Sequence, residues 1–194
     1  DGEATDDDND GLYFVGALQV DDQVVGSSLT DVVFSMGEDD AIDHNDAELS
    51  VTRAWIHGFA HEGIAASGGR TLTVSDTFIQ GCDQGIEAGY GDPQVIVRGC
   101  LITGNRVGLR FGDDYSWSDD GVLDVSHTVS VQNTDANVLN LTDTGGPKPG
   151  AIQVACSMVD DIAFDDHDGN LPGVPEWQAN GCVDAPLCEE IALG

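Results

Sequence analysis

Residues 49–64 read LSVTRAWIHGFAHEGI, residues 72–86 read LTVSDTFIQGCDQGI, and residues 95–109 read VIVRGCLITGNRVGL. Set one above another, they are the same phrase. An alternating apolar triplet is followed by a small residue, an isoleucine, a polar stretch and then Gly-Ile or Gly-Leu. The phrase extends both ways along the chain. Units begin at Ser27, Leu49, Leu72, Val95, Leu123 and Ile152, in steps of 22, 23, 23, 28 and 29 residues. A period of this length marks a solenoid or a similar array, with one structural unit per repeat.

The columns of this alignment carry the fold. Leu29, Val51, Val74, Val97, Val125 and Val154 fill one position, and Val32, Ala54, Thr77, Cys100, Thr128 and Ser157 fill a second, compact one. Phe34, Ile56, Ile79, Ile102, Ser130 and Val159 fill a third, with Ser130 its polar member. Short alternating runs of Val, Ile and Thr read as strands, and no stretch sustains a helical period. Gly63-Ile64, Gly85-Ile86 and Gly108-Leu109, with Ala41-Ile42 in the first unit, mark a bend that glycine permits. Units stacked about 4.8 Å apart give parallel sheets around like-on-like ladders. The expected fold is all-β: a parallel β-helix of about six coils, right-handed because parallel crossovers favour that hand. Residues 1–11 read as an acidic linker, residues 12–159 as the β-helix and residues 160–194 as an irregular C-terminal cap. Leu12-Tyr13-Phe14-Val15 is expected to plug the open first coil.

Charge narrows the partners. The chain carries 36 acidic and 6 basic residues, a formal charge of -30, and its one lysine is Lys148. Nucleic acid and anionic membranes are excluded, since phosphate binding needs clustered Lys and Arg. No run is long and apolar enough for membrane insertion. The acidity has two readings, a solvated surface suited to salt or divalent-cation binding at particular clusters. Asp6, Asp8 and Asp10, followed by Gly11, match the first half of a calcium loop, with Ala17 where the distal Glu belongs. Calcium is therefore the expected cofactor, if one is bound. Of the five cysteines, Cys100 reads as a buried free thiol and Cys182–Cys188 as a small disulfide loop; no pattern has zinc spacing. The Asp-rich beginning reads as that of a mature or excised piece of a longer protein.

The polar stretch before each bend holds the chemistry. One column reads Asp39, His61, Asp83, Arg106; the next reads Asp40, Glu62, Gln84, Val107; after the bend come Asp43, Ala65, Glu87 and Arg110. Stacked coils turn these into one stripe, acidic at Asp39, Asp40 and Asp43 and basic at Arg106 and Arg110. Paired carboxylates with His and Arg suit acid/base chemistry on a sugar, and clustered carboxylates equally suit calcium. His44, His57, His127 and His167 read as surface histidines. Tyr115 and Trp117 sit in an enlarged turn, 112–121, and another turn spans 142–150; such loops are natural recognition sites. The column Val33, Trp55, Phe78, Leu101, Val129, Met158 should point outward by strand alternation. Either a register change or residues 160–194 hide it, or it is a contact surface in which Trp55 and Phe78 form a sugar platform.

Gly37-Glu38-Asp39-Asp40-Ala41-Ile42-Asp43, His61-Glu62-Gly63-Ile64 and Gly108-Leu109-Arg110-Phe111 resemble the pectin-lyase-like superfamily of right-handed β-helices. Their order is similar to the polygalacturonase family, with Asp39 and Asp40 on its Asp-Asp pair and Arg110 on its Arg. His61 falls one residue before that family's His, and Gly112 stands at its Lys. The chain also resembles β-helix modules attached to CotH-like proteins. The architecture implies an extracellular or cell-surface location, and the resemblance a polysaccharide or an adjacent domain as partner. Two functions follow. One is a non-catalytic module binding carbohydrate, calcium or a neighbouring domain, with Glu62, Asp83, Glu87, Trp55, Tyr115 and Trp117 as binding residues. The other is a hydrolase or lyase acting on an acidic polysaccharide through Asp39, Asp40, His61 and Arg110. The departures from the catalytic pattern favour the first.

Overall fold

In the computed structural model, residues 9–16, 18–113, 120–141, 148–159 and 162–163 are described. Asp6, Asp8, Tyr115, Trp117, His167, the Cys182–Cys188 loop and nearly all of the expected cap lie outside them. The described residues hold strands and no helix. The first sheet contains β1 (Leu12–Val15), β6 (Ile42–Asn45), β9 (Glu62–Ser67), β12 (Gln84–Ala88), β15 (Val107–Phe111), β18 (Ala136–Asn140) and β21 (Ile162–Ala163). The second contains β4 (Ser27–Thr30), β7 (Leu49–Thr52), β10 (Thr71–Ser75), β13 (Gln94–Arg98), β16 (Val122–Ser126) and β19 (Ile152–Ala155). The third contains β5 (Val33–Gly37), β8 (Trp55–Phe59), β11 (Phe78–Gln80), β14 (Leu101–Thr103), β17 (Val129–Val131) and β20 (Met158–Val159). All pairing in these sheets is parallel, and from Ser27 onward the chain visits the second, third and first sheets in turn, an arrangement compatible with a parallel β-helix. A separate antiparallel hairpin, β2 (Leu18–Val20) with β3 (Gln23–Val25), precedes the first full cycle.

The ladders keep the register of the sequence alignment. Leu29, Val51, Val74, Val97, Val125 and Val154 pair in series, and Val51, Val74, Val97 and Val125 are 0% exposed. Phe34, Ile56, Ile79, Ile102, Ser130 and Val159 form the parallel series of the third sheet. Full burial of each such apolar side chain is worth about 1.5–3 kcal/mol over exposure. The buried Ser130 is tolerated because its hydroxyl donates to the Asn137 carbonyl at 2.8 Å.

Two corners shape each cycle. Between the second and third sheets a single residue takes the left-handed conformation: Asp31, Arg53, Asp76, Gly99, His127 and Cys156, at φ 50–64°. One such residue reverses the local twist and sends the chain into the next sheet. Where the chain enters the first sheet, Gly63, Gly85 and Gly108, the second residues of β9, β12 and β15, serve a different need. A Cβ on Gly63 would lie 2.7 Å from the Gly85 carbonyl oxygen, and one on Gly85 2.6 Å from Ile102 Cγ2. Close approach of neighbouring coils, not positive φ, demands glycine here. Asn105 and Asn133 pin the same corner: Asn105 Oδ1 accepts from the Cys82 N–H at 2.9 Å, and Asn133 Oδ1 from the Asn105 N–H at 3.0 Å.

Three expectations change. Leu12–Val15 is not a plug but an added edge strand, β1, paired with β6; Leu12, Tyr13 and Val15 are exposed, and Phe14 packs on the core. His44 is not a surface residue. It lies two positions after Ile42 on β6, so alternation turns it inward, where it is 0% exposed with Nε2 against the Ala47 carbonyl. Burial holds it below the ordinary histidine range, hence neutral. No register change hides the apolar column, since Val33, Trp55 and Leu101 are exposed while Phe34, Ile56 and Ile102 face the core. Cys100 is a buried free thiol as expected, as is Cys82, and Cys156 is disulfide-bonded.

Candidate functional site

On the first sheet, Ile42, Ile64, Ile86 and Leu109 point into the core, so the next residue on each strand points out. Those residues are Asp43, Ala65, Glu87 and Arg110, paired in series. At the preceding corner stand Asp39, Asp40, His61, Asp83 and Arg106, with Glu62 and Gln84 opening β9 and β12. Together they line one open cavity of 730 Å³, joined by Asp10, Ala66, Ser67, Tyr90 and Asp113.

The acidic end is held by hydrogen bonds. His61 Nδ1 lies 2.9 Å from Asp39 Oδ1, and the Asn9 N–H approaches Asp39 Oδ2 at 3.4 Å. The Glu62 N–H donates to Asp40 Oδ1 at 2.8 Å. Gln84 Nε2 in turn donates to Glu62 Oε1. At the other end Arg110 Nη1 lies 3.3 Å from Glu87 Oε2, both side chains buried. Arg106, half-exposed, grips Asp83 through Nε and Nη2 at 2.6 and 2.8 Å and reaches Asp135 at 3.1 Å.

Burial dominates the protonation of this cleft. Removal from water pushes Asp40 up to about 9, helped by a side-chain hydrogen bond with Glu62 and by the Glu62 and Asp39 charges, and opposed by the Glu62 backbone N–H. The same desolvation pushes Glu62 to about 7 and Glu87 to about 8, the latter helped by Asp113. These three carboxyls therefore titrate across neutral pH, and they accept either a proton or a cation. Asp39, Asp40 and His61 each offer a ligand atom, mutually within 4.8 Å, and form a candidate metal triad.

The structure brings Asp10, Asp39, Asp40, Asp43, His61, Glu62, Asp83, Glu87 and Arg110 to one cavity. Asp10 belongs to this cleft although the sequence placed it in a separate linker motif. Trp55 is not brought there: it lies on the third sheet, stacked on Phe78 with ring centroids 6.4 Å apart and planes 8° from parallel. Tyr90 and Asp113 were not anticipated. Each lies two residues past the end of a first-sheet strand, beyond Ala88 and Phe111, so continuing the columns past the strand ends would have found them. The chain matches no family model, no curated protein and no solved structure.

Proposed function

We propose that the chain is a secreted or surface-associated right-handed parallel β-helix module of about six coils that binds a carbohydrate in its acidic cleft without turning it over. The observation that carries this reading is the cleft itself. Its 730 Å³ falls within the size range of ligand sites, about 300–1,000 Å³. Its lining mixes acceptors for sugar hydroxyls (Asp43, Asp83, Glu87) with donors (Arg106, Arg110, Tyr90). A net charge of -30 repels polyanions, so the ligand is a neutral polyol.

A hydrolase is the second reading, favoured by one fact: Asp40, pushed to about 9, is a proton donor at neutral pH beside Asp39. The geometry weighs against an inverting enzyme. Oxygens of Asp39 and Asp40 lie within 4.8 Å, near the separation of a retaining pair, about 5–5.5 Å, but short of the about 6.5–9.5 Å across which an inverting pair holds its water. Arg110 stands three rungs from Asp43, roughly 14 Å at the ladder spacing, with Glu87 against it.

Calorimetric titration with neutral and acidic oligosaccharides tests the module. Neutral chains should bind, Tyr90→Ala should weaken binding and Trp55→Ala should leave it unchanged. Release of reducing ends or unsaturated uronates from polygalacturonate, pectin or alginate, lost in Asp40→Asn, would replace this reading with the enzyme.

A further inference from the structure

The third sheet turns an apolar row outward. Val33, Trp55 and Leu101 are exposed, and Phe78, Val129 and Met158 are half-buried in series with them. A continuous apolar row of this kind marks a surface that something covers. The last coil shows where the cover is attached. At the left-handed corner Asp31, Arg53, Asp76 and Gly99 are exposed, whereas Cys156, at the same place in the last coil, is 7% exposed. Cys156 is disulfide-bonded while Cys82 and Cys100 are free, so its partner within the chain is Cys182 or Cys188. The expected Cys182–Cys188 loop cannot form alongside that bond. The chain beyond β21 is thus tied back to the border of the third sheet, two residues before Met158.

We propose that the outward face of the third sheet is the seat of residues 169–181 of this same chain, held to it through the disulfide at Cys156. These thirteen residues, GNLPGVPEWQANG, carry one charge, Glu176, in a chain of net charge -30. Leu171, Val174 and Trp177 recur every third residue, with Pro172 and Pro175 between them. Proline favours the polyproline II helix, whose three-residue turn rises about 9 Å and would set all three side chains along one edge. Two rungs of the ladder also span about 9–10 Å, so the apolar edge and the apolar row are commensurate. Reach is sufficient. Between Ala163 and Cys182 lie 18 residues, which can run about 30 Å out and back, and Trp55 is four rungs, roughly 19 Å, from Met158. The crosslink lowers the entropy lost on docking by keeping the segment close to its seat. A second copy of the chain is the poorer occupant, because two surfaces of this charge repel. The face lies on a different sheet from the acidic cleft, so this proposal and the carbohydrate reading can each fail alone.

The test is hydroxyl-radical footprinting of the full oxidised chain, read by mass spectrometry. Trp177→Ser and Cys156→Ser should each raise oxidation of Trp55 and Leu101 severalfold and leave Tyr13 and Met36, exposed elsewhere, unchanged. Trp177→Ser changes no residue of the coils, so it keeps the test decisive if Cys156→Ser disturbs the last corner. Peptide mapping without reduction should find Cys156 joined to Cys182 or Cys188. Leu101→p-benzoylphenylalanine should, on illumination, crosslink to a peptide within residues 169–181 of the same molecule, with a yield independent of protein concentration. Unchanged oxidation of Trp55 and Leu101 in both variants would overturn the proposal. So would a free Cys156, or crosslinks formed only between molecules, which would make the face a contact between copies. Protection of Trp55 by an added neutral oligosaccharide in the parent chain would overturn it too, and would make the face a sugar platform.

Discussion

The two faces of the first sheet lie one residue apart in the chain and follow opposite rules. Inward, the rungs read Ile42, Ile64, Ile86, Leu109 and Val138; outward, they read Asp43, Ala65, Glu87, Arg110 and Leu139. Inside, each side chain packs on the same position of the next coil, so every rung constrains its neighbours toward the same size and shape. Outside, neighbouring rungs need not match: Glu87 and Arg110 pair as opposite charges, and each rung carries its own chemistry. The repeat therefore builds the scaffold where its copies agree and the site where they differ.

The contrast can be broken hardest from within. Val97→Asp puts an unpaired carboxylate into a fully buried ladder, at a cost of several kcal/mol, roughly, and should leave no cooperative melt by circular dichroism. Gly85→Ala is gentler: its Cβ meets the Gly108 carbonyl oxygen and Ile102, and overpacking of this kind costs about 1–3 kcal/mol in urea denaturation. On the outer face, Ala65→Ser should stay within about 0.5 kcal/mol of the parent in the same experiment.

Proton linkage sharpens the same comparison. Asp40, Glu62 and Glu87 have folded-state pKa values raised to about 9, 7 and 8, so between their ordinary carboxylate range and these values the folded chain binds more protons than the unfolded one. Stability from these groups is complete below their unfolded values and is lost as pH rises through the folded ones. In chelator, the melting temperature should fall from about pH 4 to pH 9, and Asp40→Asn should flatten much of that slope. The smallest effect is expected at Asp31 and Arg53, paired at 2.7 and 2.8 Å but exposed to solvent. Arg53→Ala should change urea stability barely, and high salt should erase the difference.

Ladder and stripe were legible because both follow from register: aligning Val74 with Val97 sets Glu87 beside Arg110, and aligning Gly63 with Gly85 at the bend sets Glu62 beside Gln84. The left-handed corner was not legible. Asp31, Arg53, Asp76, Gly99, His127 and Cys156 share a backbone conformation, not a side-chain chemistry, and only one is glycine. His44 was misread because its acidic neighbours outweighed strand parity, which places it with Ile42. Asn105 and Asn133 were missed because buried amides that bond to main chain look like ordinary loop residues in sequence.

One corner of the cycle is elastic in length. The links from the first sheet to the second are residues 46–48, 68–70, 89–93, 112–121 and 141–151, whereas the left-handed corner always takes two residues. Tyr90 and Asp113, on the cleft wall, belong to these variable links. Floor and wall are thus inherited through different parts of the repeat. A segment transplanted between Phe111 and Val122 would change which molecules the cleft admits while every ladder beneath it kept its partners, making this corner a natural cassette for swapping specificity.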